Sequence, residues 1–597
     1  LQTAGTNERE CIEAPGTGRP AQGAIDMRIL LIAHGFNGLT QRLHAELRAD
    51  GHEVSFEYDI ADSVTEEAVA LWRPEVLIAP FMKRRIPESV WSRLPCLVVH
   101  PGPPGDRGPA ALDWAVLDGA REWGVTVLQA NGDYDAGPVW AAEGFAMRAA
   151  TKSSLYRREV TRSAVHAVRA ALAQGGARAV AAPAGRLRGM PPPELRRVDA
   201  ARMPLADQLR IARAADGHPG AVDRLFGADV RIFDLHPASA AALARAPAGA
   251  PGEVVARRGP ALLRRTAGGG VWIGRVRRLD RPAGEPPLKL AAVDAFAAEA
   301  AALPVLDAPL QRDAGEWDEL RYETLGPAHA AVGWLSFDFH NGALDSAQCA
   351  RLRDALRAIR ARPPRVLVLA GGEDFFCNGI HLHAIESASY VEGGSAADAS
   401  WANIQAIDDV VLEILGFTDS LTVAALRGNA GAGGCFVALA ADRVWAHAGV
   451  VLNPHYKNMG NLYGSEYWTY TLPARVGAGG VAQVMRHRLP LLAAQARALG
   501  IVDEVLADEA EAFEAAVRRD ALALAARPDF AALLAAKRER RARDEAARPL
   551  AAYRADELAR MQRNFYGFDP SYHVARHHFV TRKLQAWTPR HLALHRT

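Results

Sequence analysis

The chain has 597 residues, too many for a single hydrophobic core, so two to four domains are expected. Its hydrophobic and charged fractions, 49% and 23%, are those of a globular protein, and a formal charge of +2 without a basic block argues against nucleic acid as a partner. The five cysteines (Cys11, Cys96, Cys349, Cys377, Cys435) show no CxxC pairing or disulfide-like spacing, which fits a reduced cytoplasm. No uncharged apolar run is long enough for a bilayer, so no membrane partner is expected.

Residues 1–26 are polar, rich in Gly, Pro and Thr, and lack the apolar centre of a targeting signal. They read as a disordered extension, and Met27 enters the first buried strand, Ile29–Ala33. An amphipathic helix over Leu39–Asp50 follows, then strands at Val54–Tyr58, Val76–Ala79 and Cys96–His100, then a helix over Ala110–Leu117. Alternation of this kind predicts a doubly wound parallel sheet over residues 27–185, closed by a helix at Ser154–Gln174. Short strands at Val230–Asp234, Glu253–Arg257 and Val271–Val276 predict a small β-rich accessory domain over 186–285. Pro- and Ala-rich residues 286–315 read as a linker. Residues 316–597 form a second α/β unit: strand Ala331–Phe337, a helix to Arg360, strand Val366–Ala370, and strand Thr422–Leu426 running into a glycine-rich loop. From Leu489 onward, Ala, Arg and Leu at helical spacing predict packing helices.

Two loops carry the chemistry. His100 ends a buried strand, where ligands bind in such sheets, and Asp135 lies on a second loop before Gly137-Pro138. A His and an Asp at neighbouring strand ends can stabilise and shuttle charge in an acyl transfer. In the second half, Asn378-Gly379-Ile380 and Gly428–Gly434 are glycine-rich turns of the kind that let backbone approach a ligand.

The first pattern, His100-Pro101-Gly102 followed by Gly105-Asp106-Arg107-Gly108 and Asp135-Ala136-Gly137, resembles the formyltetrahydrofolate-dependent formyltransferases. In that family an Asn-x-His and a later Asp form the catalytic trio. His100 and Asp135 match the last two, whereas Val98 stands at the Asn position, so another donor or a different acceptor chemistry is implied. The second pattern resembles the crotonase (enoyl-CoA hydratase/isomerase) superfamily, which implies an α/β spiral fold and a thioester oxygen held by the amides of Ile380 and Gly433. The two glutamates of a hydratase are replaced by Phe436 and His455, so water addition is not expected.

The fusion, together with Asn453-Pro454-His455-Tyr456-Lys457, Tyr463-Gly464-Ser465-Glu466-Tyr467-Trp468 and Ala215-Asp216-Gly217-His218-Pro219-Gly220, resembles the HypX (HoxX) family of hydrogenase maturation factors from Met27 to the C-terminus. The resemblance implies 10-formyltetrahydrofolate and coenzyme A as substrates, carbon monoxide for nickel–iron hydrogenase as product, and hydrogenase maturation proteins as partners. It casts His100 and Asp135 in formyl transfer to coenzyme A, and Tyr456 and Glu466 as the proton-handling pair that breaks formyl-CoA down. Asn378 and Gly379 are expected at the ligand, with Arg486 and the Arg582-Lys583 pair as candidates for coenzyme A phosphates. Two other readings stay open: a formyl-CoA hydrolase releasing formate, and a non-catalytic scaffold binding folate or coenzyme A. His381 and His383, which would share a face of a strand, and the C-terminal histidines (His573, His577, His578, His591, His595) are read as packing, and no metal is expected.

Overall fold

The fold is taken from a computed structural model that describes residues 27–597 apart from 176–179, 182, 184, 283 and 584. The expected extension, residues 1–26, lies outside the described residues. Residues 27–187 contain strands β1 (Arg28–Ala33), β2 (Glu53–Tyr58), β3 (Val76–Phe81), β4 (Cys96–His100), β5 (Asp106–Arg107), β6 (Glu122–Gln129), β7 (Val139–Ala146) and β8 (Arg186–Leu187). The main sheet runs β2-β1-β3-β4-β6-β7. Its first four strands are parallel, as the alternation with helices requires, and β6 and β7 extend it antiparallel. Strand β1 is apolar at every interior position because both sheet faces are covered. Ile29, Leu31 and Ala33 pack with the helices Gly38–Ala49 and Thr161–Gln174, whereas Leu30 and Ile32 pack with Ala68 and Leu77 on the other side.

The accessory domain is a sheet of β9 (Ala221–Leu225), β10 (Ala228–Pro237), β11 (Val254–Arg258), β12 (Ala261–Thr266), β13 (Gly269–Arg278) and β14 (Leu290–Ala291). The linker expected at 286–315 needs correction. Strand β14 pairs with β13, and Ala292 and Ala300, on two short helices, with Phe296 between those helices, fill the accessory core. The alanine-rich composition that suggested a linker instead allows close packing of short helices on a sheet.

The last unit contains β15 (Leu320–Leu325), β16 (Val332–Phe337), β17 (Ala343–Leu344), β18 (Val366–Gly371), β19 (Phe375–Cys377), β20 (Gly379–Ile380), β21 (Leu421–Leu426), β22 (Asn429–Gly431), β23 (Arg443–His447), β24 (Val451–Asn453), β25 (Leu491–Leu492) and β26 (Glu504–Ala507). One sheet runs β15-β16-β18-β21-β23-β26 and a smaller one β19-β22-β24-β25. Three successive turns of chain each lay one strand in the large sheet and the next in the small one: β18 and β19, β21 and β22, β23 and β24. This repetition is the α/β spiral, and it stacks the loops that follow β19 and β22 beside each other.

The halves are stitched together. Arg157 pairs with Asp374 at 2.9 Å, Ser154 Oγ donates to the same carboxylate at 2.7 Å, and Asn453 donates to Gln41 at 3.0 Å. The C-terminus returns to the first sheet, where the Phe56 N–H donates to the Leu592 carbonyl and His595 bridges Ser55 and Glu57. Among the described residues no helix is long and apolar enough to cross a membrane.

Candidate active sites

At the first site, strand β4 delivers His100 to the sheet's carboxyl edge, buried between two carboxylates. Asp106 Oδ2 lies 2.8 Å from Nε2, and Asp135 Oδ2 lies 3.6 Å from Nδ1. Asp135 takes a left-handed backbone (φ 48°) and is held by the Gly108 N–H at 3.0 Å. Val98, two residues earlier on β4, lines the same cavity as His100 and Asp135 and offers no hydrogen bond from its side chain. Asn131 lines that cavity too.

At the second site, Gly379 adopts φ 80°, a conformation open to glycine, and its N–H donates to Cys377 Sγ at 3.3 Å. Ile380, the next residue, pairs with Leu344 in the short parallel ladder of β17 and β20. Gly433 opens the helix Gly433–Leu439, so its N–H has no acceptor within that helix. The Gly379 Cα faces this amide, since a Cβ built there would sit 3.5 Å from Gly433 N. A Cβ on Gly434 would strike the Cys377 carbonyl, so the close approach of the two loops needs glycine at 434. Asn378 braces the turn by donating from its amide to the Asn341 carbonyl at 2.8 Å.

Tyr456 and Glu466 meet here. The Tyr456 hydroxyl lies 2.6 Å from Glu466 Oε2, which also accepts the Ser465 N–H at 3.0 Å. Glu466 Oε1 faces Gly433, and a Cβ on that glycine would collide with it. Phe436, standing where a hydratase has a glutamate, stacks on the Tyr456 ring at 5.3 Å between centroids. The missing carboxylate has therefore become an apolar support for the tyrosine. Burial, reinforced by the charge of Asp408, pushes the Glu466 carboxyl up to about 8, against the pull of its Tyr456 and Ser465 hydrogen bonds. Burial and the neighbouring Glu466 hold the Tyr456 phenol well above its ordinary value.

Two acidic residues not anticipated from the sequence hold the pair. Glu466 and Tyr467 are consecutive left-handed residues (φ 59° and 56°), a strain of roughly 1–3 kcal/mol each. Asp408, from the helix Ala396–Leu415, accepts the Glu466 N–H at 2.8 Å and the Ser465 hydroxyl at 2.7 Å. Glu557, from the helix Leu550–Tyr566, accepts the N–H groups of Tyr467 at 2.9 Å and Thr469 at 2.8 Å. These contacts hold the strained turn in place. Burial raises both carboxyls as well, Asp408 to about 6 and Glu557 to about 7.

Each half matches a known protein family. Residues 34–170 match the formyl transferase family model, and residues 332–566 match the enoyl-CoA hydratase/isomerase model. The hydrogenase maturation factor HoxX of Bradyrhizobium diazoefficiens is 52% identical over 577 residues, covering 96% of this chain and 97% of that protein. The chain belongs to the HypX/HoxX family of hydrogenase maturation factors. The crystal structure of HypX from Aquifex aeolicus in complex with tetrahydrofolic acid is 42% identical with a TM-score of 0.90, covering 96% of this chain and 99% of that one. A methionyl-tRNA formyltransferase from Anaeromyxobacter dehalogenans is 31% identical over 259 residues, covering 40% of this chain and 77% of that protein.

Within this HypX/HoxX architecture a cavity of about 1800 Å³ opens between the halves. Its wall carries His100 and Asp135 together with Asn378, Ala430 and Asn453, whereas Ile380, Gly433, Tyr456 and Glu466 are not part of it. The Asp216-Gly217-His218 stretch also contributes to the lining. Arg582 lines the cavity and donates to the Gly217 carbonyl at 3.2 Å, whereas Arg486 is exposed on the helix Trp468–His487 and is not part of the wall. His381 and His383 sit at the start of a helix rather than on a strand. Each accepts a backbone N–H, from Ala384 and Lys289 respectively. His573 and His577 contact the Phe565 carbonyl and Glu386.

One substitution isolates the second site. Gly433→Ala is expected to displace the Glu466 carboxyl, because its methyl group falls on Oε1, while the His100–Asp135 site stays unchanged. A crystal structure of the variant checks it, and an unmoved Glu466 carboxyl would contradict the placement.

Proposed function

We propose that the chain makes carbon monoxide in two steps and supplies it to hydrogenase maturation proteins in the cytoplasm. At the first site, His100 and Asp135 assist attack of the coenzyme A thiol on the formyl carbon of 10-formyltetrahydrofolate. The carbon–sulfur bond forms, the bond from carbon to N10 breaks, and the thiol proton passes to N10. The products are formyl-CoA and tetrahydrofolate. The chemistry needs no oxidant, since the formyl carbon keeps its oxidation state.

Formyl-CoA then lies with its oxygen on the Ile380 and Gly433 amides and its carbonyl carbon beside Glu466 Oε1. Glu466 gives its proton to the sulfur as the carbon–sulfur bond breaks. The carboxylate so formed takes the formyl proton, leaving carbon monoxide, free coenzyme A and a reset Glu466. Tyr456 holds the other carboxyl oxygen and smooths the charge change. Enclosure between the two halves would shield formyl-CoA from water in transit.

The observation that carries this reading is the Tyr456–Glu466 pair set against the glycine of the oxyanion loop, with the Glu466 carboxyl held near 8. A carboxyl protonated at neutral pH suits an acid that expels a thiolate. Protonated at rest, it cannot take a proton from water, which disfavours the formyl-CoA hydrolase reading. Supplying formyl-CoA directly and analysing products tests this: carbon monoxide supports the proposal, formate alone supports the hydrolase, and unchanged thioester supports the scaffold.

Arg582 would hold coenzyme A phosphate through its planar donor fork. Arg582→Ala is expected to raise KM for coenzyme A about 10- to 100-fold, the loss of a charge-assisted hydrogen bond of roughly 1.5–3 kcal/mol. Arg486→Ala should leave KM unchanged. Steady-state kinetics on both variants decides between the two arginines.

A further inference from the structure

One carboxylate at the first site has no place in the formyl-transfer reading. Asp106 touches His100 Nε2 at 2.8 Å, yet it stands outside the cavity wall that His100 and Asp135 share. Its side chain is 8% exposed and that of His100 is 4% exposed, so the contact is shut off from solvent. The two ring nitrogens therefore face different surroundings: Nε2 points to a buried carboxylate behind the wall, and Nδ1 points towards Asp135 on the cavity.

Three features hold Asp106 there. Strand β5 pairs in parallel with β8, Asp106 opposite Arg186, and this pairing braces the loop. Arg188, just past β8, brings a guanidinium nitrogen 3.6 Å from Asp106 Oδ1 while gripping Asp118 at 2.7 Å. Gly102 leaves the space for the contact, since a Cβ there would lie 2.5 Å from Asp106 Oδ2 and 2.6 Å from His100 Nε2. The same loop sets the other side of the ring: the Gly108 N–H donates to Asp135, and Arg107 Nε donates to the Tyr134 carbonyl at 2.8 Å.

We propose that Asp106 is a positioning residue that binds the Nε2–H of His100 and so presents the Nδ1 lone pair to the cavity. The hydrogen bond made by one imidazole nitrogen decides which nitrogen acts as base. A carboxylate behind the ring fixes the tautomer and stabilises the imidazolium when Nδ1 takes a proton, as in a serine-protease triad. The consequence for rate rests on the formyl-transfer reading above; the tautomer does not.

The test uses the full chain labelled with 15N-histidine, with the His100 signals assigned by their loss in His100→Asn. Neutral His100 is expected to carry its proton on Nε2. In Asp106→Asn, whose amide can donate to Nε2, the proton should appear on Nδ1, and kcat for formyl transfer should fall about 10²- to 10⁴-fold with KM for the folate little changed. Gly102→Ala, which pushes Asp106 off the ring without removing it, should move the tautomer the same way. A proton on Nδ1 in the unaltered protein, or an Asp106→Asn protein with tautomer and kcat both unchanged, would overturn the proposal. Nε2–H in a protein that transfers no formyl group would sink the reaction and leave the tautomer assignment standing.

Discussion

Glu466→Gln is expected to stop carbon monoxide release while formyl-CoA accumulates. The amide keeps the shape of the carboxyl and its contacts with Tyr456 and the Ser465 N–H, but it has no proton to give the departing sulfur. General acid–base assistance is worth roughly 10²- to 10⁴-fold, and the fall should lie in that range or beyond, because the same group serves in both directions. Tyr456→Phe should cost less, since the carboxyl survives without its partner. The pH dependence follows from the carboxyl held near 8. The working form is protonated, so the rate of thioester breakdown should be flat below about pH 8 and fall as pH rises through it. Thiol-release kinetics on supplied formyl-CoA reads all three effects, and a rate that rises through that window would oppose the assignment of Glu466 as the acid.

The second large effect belongs to His100→Asn. Formyl transfer should drop by about 10²- to 10⁴-fold, while breakdown of supplied formyl-CoA continues at the unaltered rate, because His100 has no part in the second site. Combined with Glu466→Gln this makes a crossed pair. Each variant loses one half-reaction and keeps the other, and a mixture should recover some carbon monoxide only if formyl-CoA escapes into solution. Recovery near the unaltered rate would show that the intermediate is released freely. Little recovery would show that the cavity between the halves retains it.

Much of this arrangement was readable from residue patterns. The all-apolar Ile29–Ala33 run marks a strand buried on both faces, and it is one. Cys96–His100 was bounded as it stands because a proline and glycine punctuate its end. The glycine-rich loops pointed to close backbone approach, and the structure brings Gly379 and Gly433 together. Tyr456 and Glu466 are ten residues apart on the one stretch between β24 and the helix Trp468–His487, so their meeting required no long-range inference.

Asp408 and Glu557 were invisible for the opposite reason. They lie 58 and 91 residues from Glu466 on helices whose acidic residues look like ordinary solvated positions, and only packing turns them inward. Asp106 was within a quoted motif, but the contact with His100 depends on a tight turn through Gly102 that spacing does not reveal. The helices Ala292–Ala295 and Ala297–Ala301 were mistaken for linker because alanine is common to both and prolines flank the pair at 286–287 and 304. Arg486 and Arg582 are alike in sequence terms, and the cavity wall alone separates them.

The central claim is that one chain converts the formyl group of a folate into carbon monoxide through coenzyme A. Its most direct test is a sealed incubation of the protein with 10-formyltetrahydrofolate labelled with 13C in the formyl group, with and without coenzyme A. The account predicts 13CO in the headspace, equal in amount to the tetrahydrofolate formed and absent without coenzyme A. Labelled formate with no 13CO, or 13CO that needs no coenzyme A, would contradict it.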